Sequence, residues 1–280
     1  MPFKIAFCSN QCNPYYNEVG RGVADSLHGA GDAELLSLNG MHRFPVQALR
    51  MLDPDAIIAG PVHPKEVAAY FPDVPVVGIS NALHTKPFPS VLNDDLEAGR
   101  QAARAAVHAG YEHVLTLNTL DFHFTALREH GAREACRDWN VSYESFNMEV
   151  RKTRAMEKFQ DVWDEFQQNL KSKMLALPAN TALIAMETRL AGDILSLQSE
   201  VKRLKIPEDF GLILADLPQD DTPGIAHVRL RGHAIGAMAV KLLLEKCRNP
   251  AFEIPQETRI EPDGAISGDT LRLAPSLFNA

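Results

Sequence analysis

The chain has 280 residues, 45% of them hydrophobic and 23% charged, with a formal net charge of −8. This size and balance fit one large or two medium globular domains with ample buried core. The acidic balance excludes a general nucleic-acid binder, whose phosphate affinity needs clustered Lys and Arg. The densest cationic run, Arg151-Lys152-Thr153-Arg154, precedes a mixed-charge helix and reads as a solvated face.

Strands and helices alternate from the first residues. Residues 4–8 form a short apolar strand, and residues 14–27 a helix with Asn13 as N-cap and Pro14 at the first helical position. Residues 34–38 read as a strand, 45–51 as a short helix and 55–60 as a strand ending in Gly60. A helix at 64–70 and a strand at 74–79 follow. The extended pair Val91-Leu92 runs into Asn93, Asp94 and Asp95, and residues 94–109 read as a long helix. Its Leu96, Ala98, Gly99, Ala102, Ala103, Ala106 and Val107 make a small-residue face for close packing, within a lobe rather than at a dimer interface.

The pattern then restarts. Strands at 113–117, 143–146, 182–186 and 211–215 alternate with helices at 124–139, 155–175, 190–204 and 232–246. Short strands are expected at 258–261 and 270–273. Two such rounds predict an α/β fold of two doubly wound parallel-sheet lobes. Ligands on such sheets bind outside the carboxyl ends of the strands. That rule points to the loops after Cys8, Gly60, Leu117, Met186 and Ala215, and to the helix start at Asp94.

The run Asn93-Asp94-Asp95 supports two readings. Acidic residues suit a helix start, where N–H groups are unpaired and the dipole is positive. Alternatively, one carboxylate points into a cleft and holds a polar ligand. The first strand-end loop carries Ser9, Asn10, Gln11, Asn13, Tyr15 and Tyr16. Side-chain amides both donate and accept, which suits hydroxyl groups, and aromatic faces suit the apolar side of a sugar ring. Capping alone also explains Asn13, and a core role also explains Tyr16.

Enzymatic signatures fail to appear: no Gly-x-Gly-x-x-Gly after a strand, no phosphate loop, no Gly-x-Ser-x-Gly elbow. None of the ten histidines has His-Glu-x-x-His spacing; His63 and His123, in strand-end loops, remain candidate ligand contacts. Cys8, Cys12, Cys136 and Cys247 show no metal or disulfide framework and read as reduced thiols. No enzyme activity, cofactor or metal is expected. With no secretory signal and no membrane-length apolar run, the expected location is the cytoplasm, away from any membrane.

Five segments in order resemble the effector domain of lactose/galactose-repressor-type regulators, built like periplasmic sugar-binding proteins. Residues 13–23, from Asn13-Pro14-Tyr15-Tyr16 onward, resemble its first helix, and residues 93–100 the entry to its lobe-crossing helix. Arg128-Glu129-His130-Gly131-Ala132-Arg133-Glu134-Ala135 is similar to its Arg-x-x-Gly-Phe-x-x-Ala motif. Ile206-Pro207-Glu208-Asp209-Phe210 with Ala215-Asp216, and residues 228–236, resemble its Val-Pro-Glu-Asp-Val strand and its returning hinge and helix. The similarity spans nearly the whole chain.

The resemblance implies a type I periplasmic-binding-protein-like fold with a three-segment hinge. One lobe would combine 1–109 with 231–250, the other 110–230 with 251–280. It implies the sensor of a sugar-responsive transcriptional regulator, closing its hinge on a small sugar or polyol such as a xylose-like pentose. Asp94 would accept from ligand hydroxyls, partnered across the cleft by the planar fork of Arg128, which leaves the helix-start role to Asn93 and Asp95. Asp216 would close the second lobe's side, with Asn10, Asn13 and Tyr16 on the first. Phe124, Met186 and Thr188 complete the candidate set. Within that family the chain resembles the xylose-operon regulator, whose sensor precedes an arabinose-regulator-type DNA-binding domain. DNA contact is therefore expected only through a domain absent from this chain, and a homodimer is expected. A transport-type sugar-binding protein is the alternative, and a doubly wound enzyme the remoter one. Two departures stand out: Met186-Glu187-Thr188-Arg189 replaces the family's frequent Asn-Asp, and Phe124 replaces a polar or basic position.

Overall fold

The computed structural model describes residues 2–10, 13–39, 46–60, 64–82, 88–119, 122–147, 156–200, 205–216 and 224–272. In chain order the elements are β1 (Phe3–Ser9), α1 (Pro14–Ala30), β2 (Ala33–Asn39), α2 (Val46–Leu52), β3 (Ala56–Ala59), α3 (Pro64–Tyr70), β4 (Val76–Gly78) and β5 (Ser90–Asn93). Then come α4 (Asp95–His108), β6 (His113–Asn118), α5 (His123–Asp138), β7 (Ser142–Asn147), α6 (Met156–Leu175), β8 (Thr181–Ala185), α7 (Thr188–Glu200) and β9 (Phe210–Leu214). The last are β10 (Ala226–Val228), α8 (Gly232–Arg248), β11 (Glu257–Ile260) and β12 (Ala265–Ile266).

The chain divides into two compact units, Met1–Asp94 with Arg231–Glu261, and Asp95–Leu230 with Pro262–Ala280. Each is a doubly wound α/β lobe around its own sheet. In the first, β11-β5-β4-β3-β1-β2 lie side by side, all parallel. Alternation along β1 sends Ile5 and Phe7 to one face and Ala6 and Cys8 to the other. The first pair packs with Val19 and Val23 of α1 and Ile235, Ala239 and Leu243 of α8; the second packs with Leu49 of α2 and Val67 of α3. Burial on both faces is why β3 is apolar throughout rather than alternating.

The second sheet runs β12-β10-β9-β8-β6-β7, parallel except for β12, which pairs antiparallel with β10. Val114, Ala182, Ile184 and Ile213 face the alanines of α4 and α5. Leu115, Leu117, Leu183, Leu212 and Leu214 face Trp163, Phe166 and Leu170 of α6 and Leu190 and Ile194 of α7. Among the described residues, no helix is long and apolar enough to cross a membrane.

Two boundaries differ from the sequence reading. Helix α4 belongs to the second unit, because its small-residue face docks on α5. Residues 251–261 belong to the first, because β11 pairs in register with β5. The expected strand at 270–273 is absent as far as Arg272, beyond which the chain lies outside the described residues. Thr270 instead sits in a turn, its Oγ1 donating to Leu212 O and its carbonyl accepting from Leu212 N–H. The short β10 and β12 had no clear pattern in sequence.

The α4–α5 contact depends on glycine. A Cβ on Gly131 would lie 1.9 Å from Leu96 O, whereas one on Gly192 of α7 would meet nothing within 4 Å. Gly131→Ala should therefore cost the second unit about 2–3 kcal/mol through overpacking, despite better helix propensity. Gly192→Ala should gain up to about 1 kcal/mol. Both tryptophans, Trp139 and Trp163, lie in this unit, so urea unfolding followed by their fluorescence reads it directly. Equal responses to the two substitutions would refute the close-approach account.

Candidate functional site

In each sheet the connections diverge beside one central strand, between β1 and β3 in the first and between β6 and β8 in the second. The carboxyl edge at such a point is where an open α/β sheet presents its loops.

At the first unit's edge, Asn13 caps α1: its Oδ1 accepts from Tyr15 N–H at 2.9 Å. Asn10 ends the β1 turn, its carbonyl accepting from Asn13 N–H at 3.1 Å. The rings of Tyr15 and Tyr16 meet edge to face at 5.1 Å, and Tyr16 packs partly into the core. Asn93 at the end of β5 donates from Nδ2 to Tyr15 Oη at 2.9 Å. Asn93 Oδ1 and Ser9 Oγ are buried without a hydrogen-bond partner among the described residues. Gln11, Cys12 and His63 lie outside those residues.

The second unit's edge is built around Arg128 on α5, only 3% exposed. Its Nε donates to Asp95 Oδ1 at 2.9 Å, and its Nη1 donates to Met186 O at 2.9 Å. The same Nη1 lies 3.1 Å from Asp216 Oδ2. The guanidinium rests 4.8 Å from the Phe124 ring centroid, a cation–π contact. Burial opposes the charge on Arg128, but Asp216 and Asp95 together outweigh it and hold the group above its ordinary value.

Glu187, just after β8, is 9% exposed, and its Oε1 is buried without a partner among the described residues. Burial pushes its carboxyl up to about 7, and Asp216 pushes the same way. Arg189 pulls it back, Asp193 raises it again, and Arg128 lowers it. Arg189 itself stacks over Trp163 at 4.0 Å.

The structure thus brings together Arg128, Asp216, Phe124, the Met186 carbonyl and Glu187 at one sheet edge. The carboxylate bound to Arg128 is that of Asp95. Asp95 is 2% exposed and turns into the unit, whereas Asp94 is half-buried and its N–H donates to Ile260 O at 2.9 Å. Asp95 stands in the first turn of α4, the helix-start position expected for it, and carries this buried ion pair as well. Met186 contributes only backbone here, its side chain being fully buried in the core. Thr188 and His123 open α7 and α5. Asn10, Asn13 and Tyr16 lie in the other unit. Sequence reasoning missed Glu187 as a site residue, although its departure from the family pattern was the available signal. Cys8 and Cys136 are buried free thiols and Cys247 is a part-exposed one. No cluster of His, Cys, Asp and Glu that could hold a metal occurs among the described residues.

Paired doubly wound lobes crossed three times by the chain define the periplasmic-binding-protein-like class. The periplasmic binding protein-like domain family matches residues 103–271, and the chain belongs to that family. A search of curated proteins gives no match. Among solved structures, a LacI transcriptional regulator from Lactobacillus brevis superposes with a TM-score of 0.73 at 16% identity, covering 93% of this chain and 99% of that one. A periplasmic binding protein/LacI transcriptional regulator from Alkaliphilus metalliredigens complexed with D-xylulofuranose gives 0.71 at 15% identity, covering 96% and 98%. A LacI family regulator from Enterococcus faecium with bound ribose gives 0.72 at 16% identity, covering 96% and 99%. These likenesses establish the fold of the effector domains of LacI-type regulators.

Proposed function

We propose that the chain is the ligand-sensing part of a transcriptional regulator and binds a small polyhydroxy ligand, a pentose or related sugar, without catalysing a reaction. The observation that carries this reading is the Arg128–Asp216–Glu187 group at the carboxyl edge of β8 and β9. Arg128 is held rigid by Asp95 and Met186 O, while Glu187 Oε1 is an acceptor with no partner among the described residues. Donors and acceptors fixed side by side suit vicinal hydroxyls. The sugar-bound relatives above support the same class of ligand. Asp94, Thr188, Phe124 and the polar first-unit residues Asn10, Asn13 and Tyr16 complete the proposed set. Switching would use a hinge at the three chain crossings, with the ligand favouring one arrangement by differential affinity. DNA would be contacted by a separate domain, and the working form would be a cytoplasmic homodimer. The finer kinship with the xylose-operon regulator rests on the sequence motifs alone.

A thermal-shift screen of pentoses, hexoses, cellobiose, polyols and sugar acids tests the reading. A ligand at about 100 times its Kd stabilises by about 2.7 kcal/mol. Asp94→Asn should remove most of that shift while keeping the wild-type melting profile. If no sugar or polyol raises the melting temperature, the reading fails. Arg128→Ala, attractive from sequence, is a poor probe, because it also strips Asp95 of its partner.

A further inference from the structure

We infer that Glu187 sets the charge of the ligand: its Oε1 accepts a hydroxyl of a neutral polyhydroxy molecule, and the site turns away the anionic counterpart, a sugar acid or phosphorylated sugar. The inference rests on the polyol reading of this edge and narrows it. Glu187 stands at the carboxyl end of β8, 9% exposed and with a bare buried oxygen.

Among the described residues, the charged groups that act on Glu187 divide evenly. Asp216 after β9 and Asp193 on α7 disfavour a further negative charge, and Arg189 on α7 and Arg128 on α5 favour one. Arg128 is engaged by Asp95 and Asp216, and Arg189, stacked over Trp163, keeps its charge but has the Asp193 carboxylate beside it on the same helix. Arg128 therefore brings no surplus charge: with Asp95 and Asp216 it forms a net-negative trio. An incoming carboxylate or phosphate would meet that trio and Glu187 together. A hydroxyl can instead donate to the bare Glu187 Oε1. A carboxyl with its midpoint near neutrality makes the discrimination depend on pH. Ionised, Glu187 accepts from the sugar and repels the acid; protonated, it repels less.

The test is calorimetric titration of the whole chain with two matched pairs, D-ribose with D-ribonate and D-xylose with D-xylonate. Wild type and Glu187→Gln, which keeps the side-chain shape, are compared at about pH 5.5 and about pH 8. The wild-type chain should prefer sugar over acid by more than about tenfold at the higher pH, and the preference should shrink at the lower one. In Glu187→Gln the preference should fall by about tenfold and lose its pH dependence. Sugar binding with a preference unchanged by the substitution overturns the inference and leaves the polyol reading standing. Tighter binding of the acid by wild type overturns it as well. If neither member of either pair binds, and the thermal screen is also blank, both readings fall together.

Discussion

Glu187→Gln should flatten the pH dependence of the second unit, so that variant and wild type diverge by about 3 kcal/mol between about pH 4 and about pH 8. The carboxyl moves from an ordinary 4.5 up to about 7 on folding, chiefly because burial disfavours its charge. Between those values the folded chain holds a proton that the unfolded chain has released. Stability therefore falls as pH rises through that window, and it is fully present only below the unfolded value. The substituted amide does not titrate, so the variant gains relative to wild type as pH rises. Asp193 is raised in the same direction by burial, but it is present in both proteins and cancels in the difference. Urea unfolding read by tryptophan fluorescence at several pH values measures the effect. Parallel curves would show that Glu187 is ionised and solvated in the fold.

Arg128→Leu should cost the second unit about 3–5 kcal/mol, the range for breaking a buried ion pair by removing one partner. The side chains of Arg128 and Asp95 are 4% and 1% exposed. The variant leaves Asp95 charged and without its guanidinium, and deprives Met186 O of its donor. A second variant separates lost charge pairing from lost packing. Asp95→Leu with Arg128→Leu removes both charges, and it should recover a large part of the loss, because an apolar pair of similar volume often matches a buried salt bridge. A loss below about 1 kcal/mol for the single variant would place this pair with solvated surface bridges. No recovery in the double variant would assign the cost to packing instead.

The site shows why some residues were legible and others not. Asn13 and Pro14 carry their roles in their chemistry, an N-cap amide and a ring that needs no N–H at the first turn. Arg128 stands three residues before Gly131, and both share a motif whose spacing survives in a single sequence. Asp94 and Asp95 could not be told apart in that way. They lie where strand periodicity gives way to helical periodicity, so one residue of offset changes which carboxylate turns inward. Only the position of α5 against α4 decides it, and Asp95 takes the guanidinium. Glu187 was visible as an oddity, but its near-neutral titration depends on burial and on Asp216, 29 residues further along the chain.

By itself, then, the sequence determined the alternation of elements and hence two doubly wound sheets, because parallel strands buried on both faces must be apolar runs separated by helices. It also determined that the strand ends would be polar. What belongs to which unit was decided by tertiary structure. The alanine and glycine face of α4 is suited to any close partner, and contact with Gly131, Ala132 and Ala135 of α5 and with Val114, Ala182, Ile184 and Ile213 of the second sheet assigns it to the second unit. Residues 251–261 join the first unit through backbone pairing of β11 with β5 and through Phe252, Ile254 and Ile260, which pack against its core. Charge at the site follows the same rule: residue types are local, but protonation is set by burial and by neighbours that the fold alone brings together.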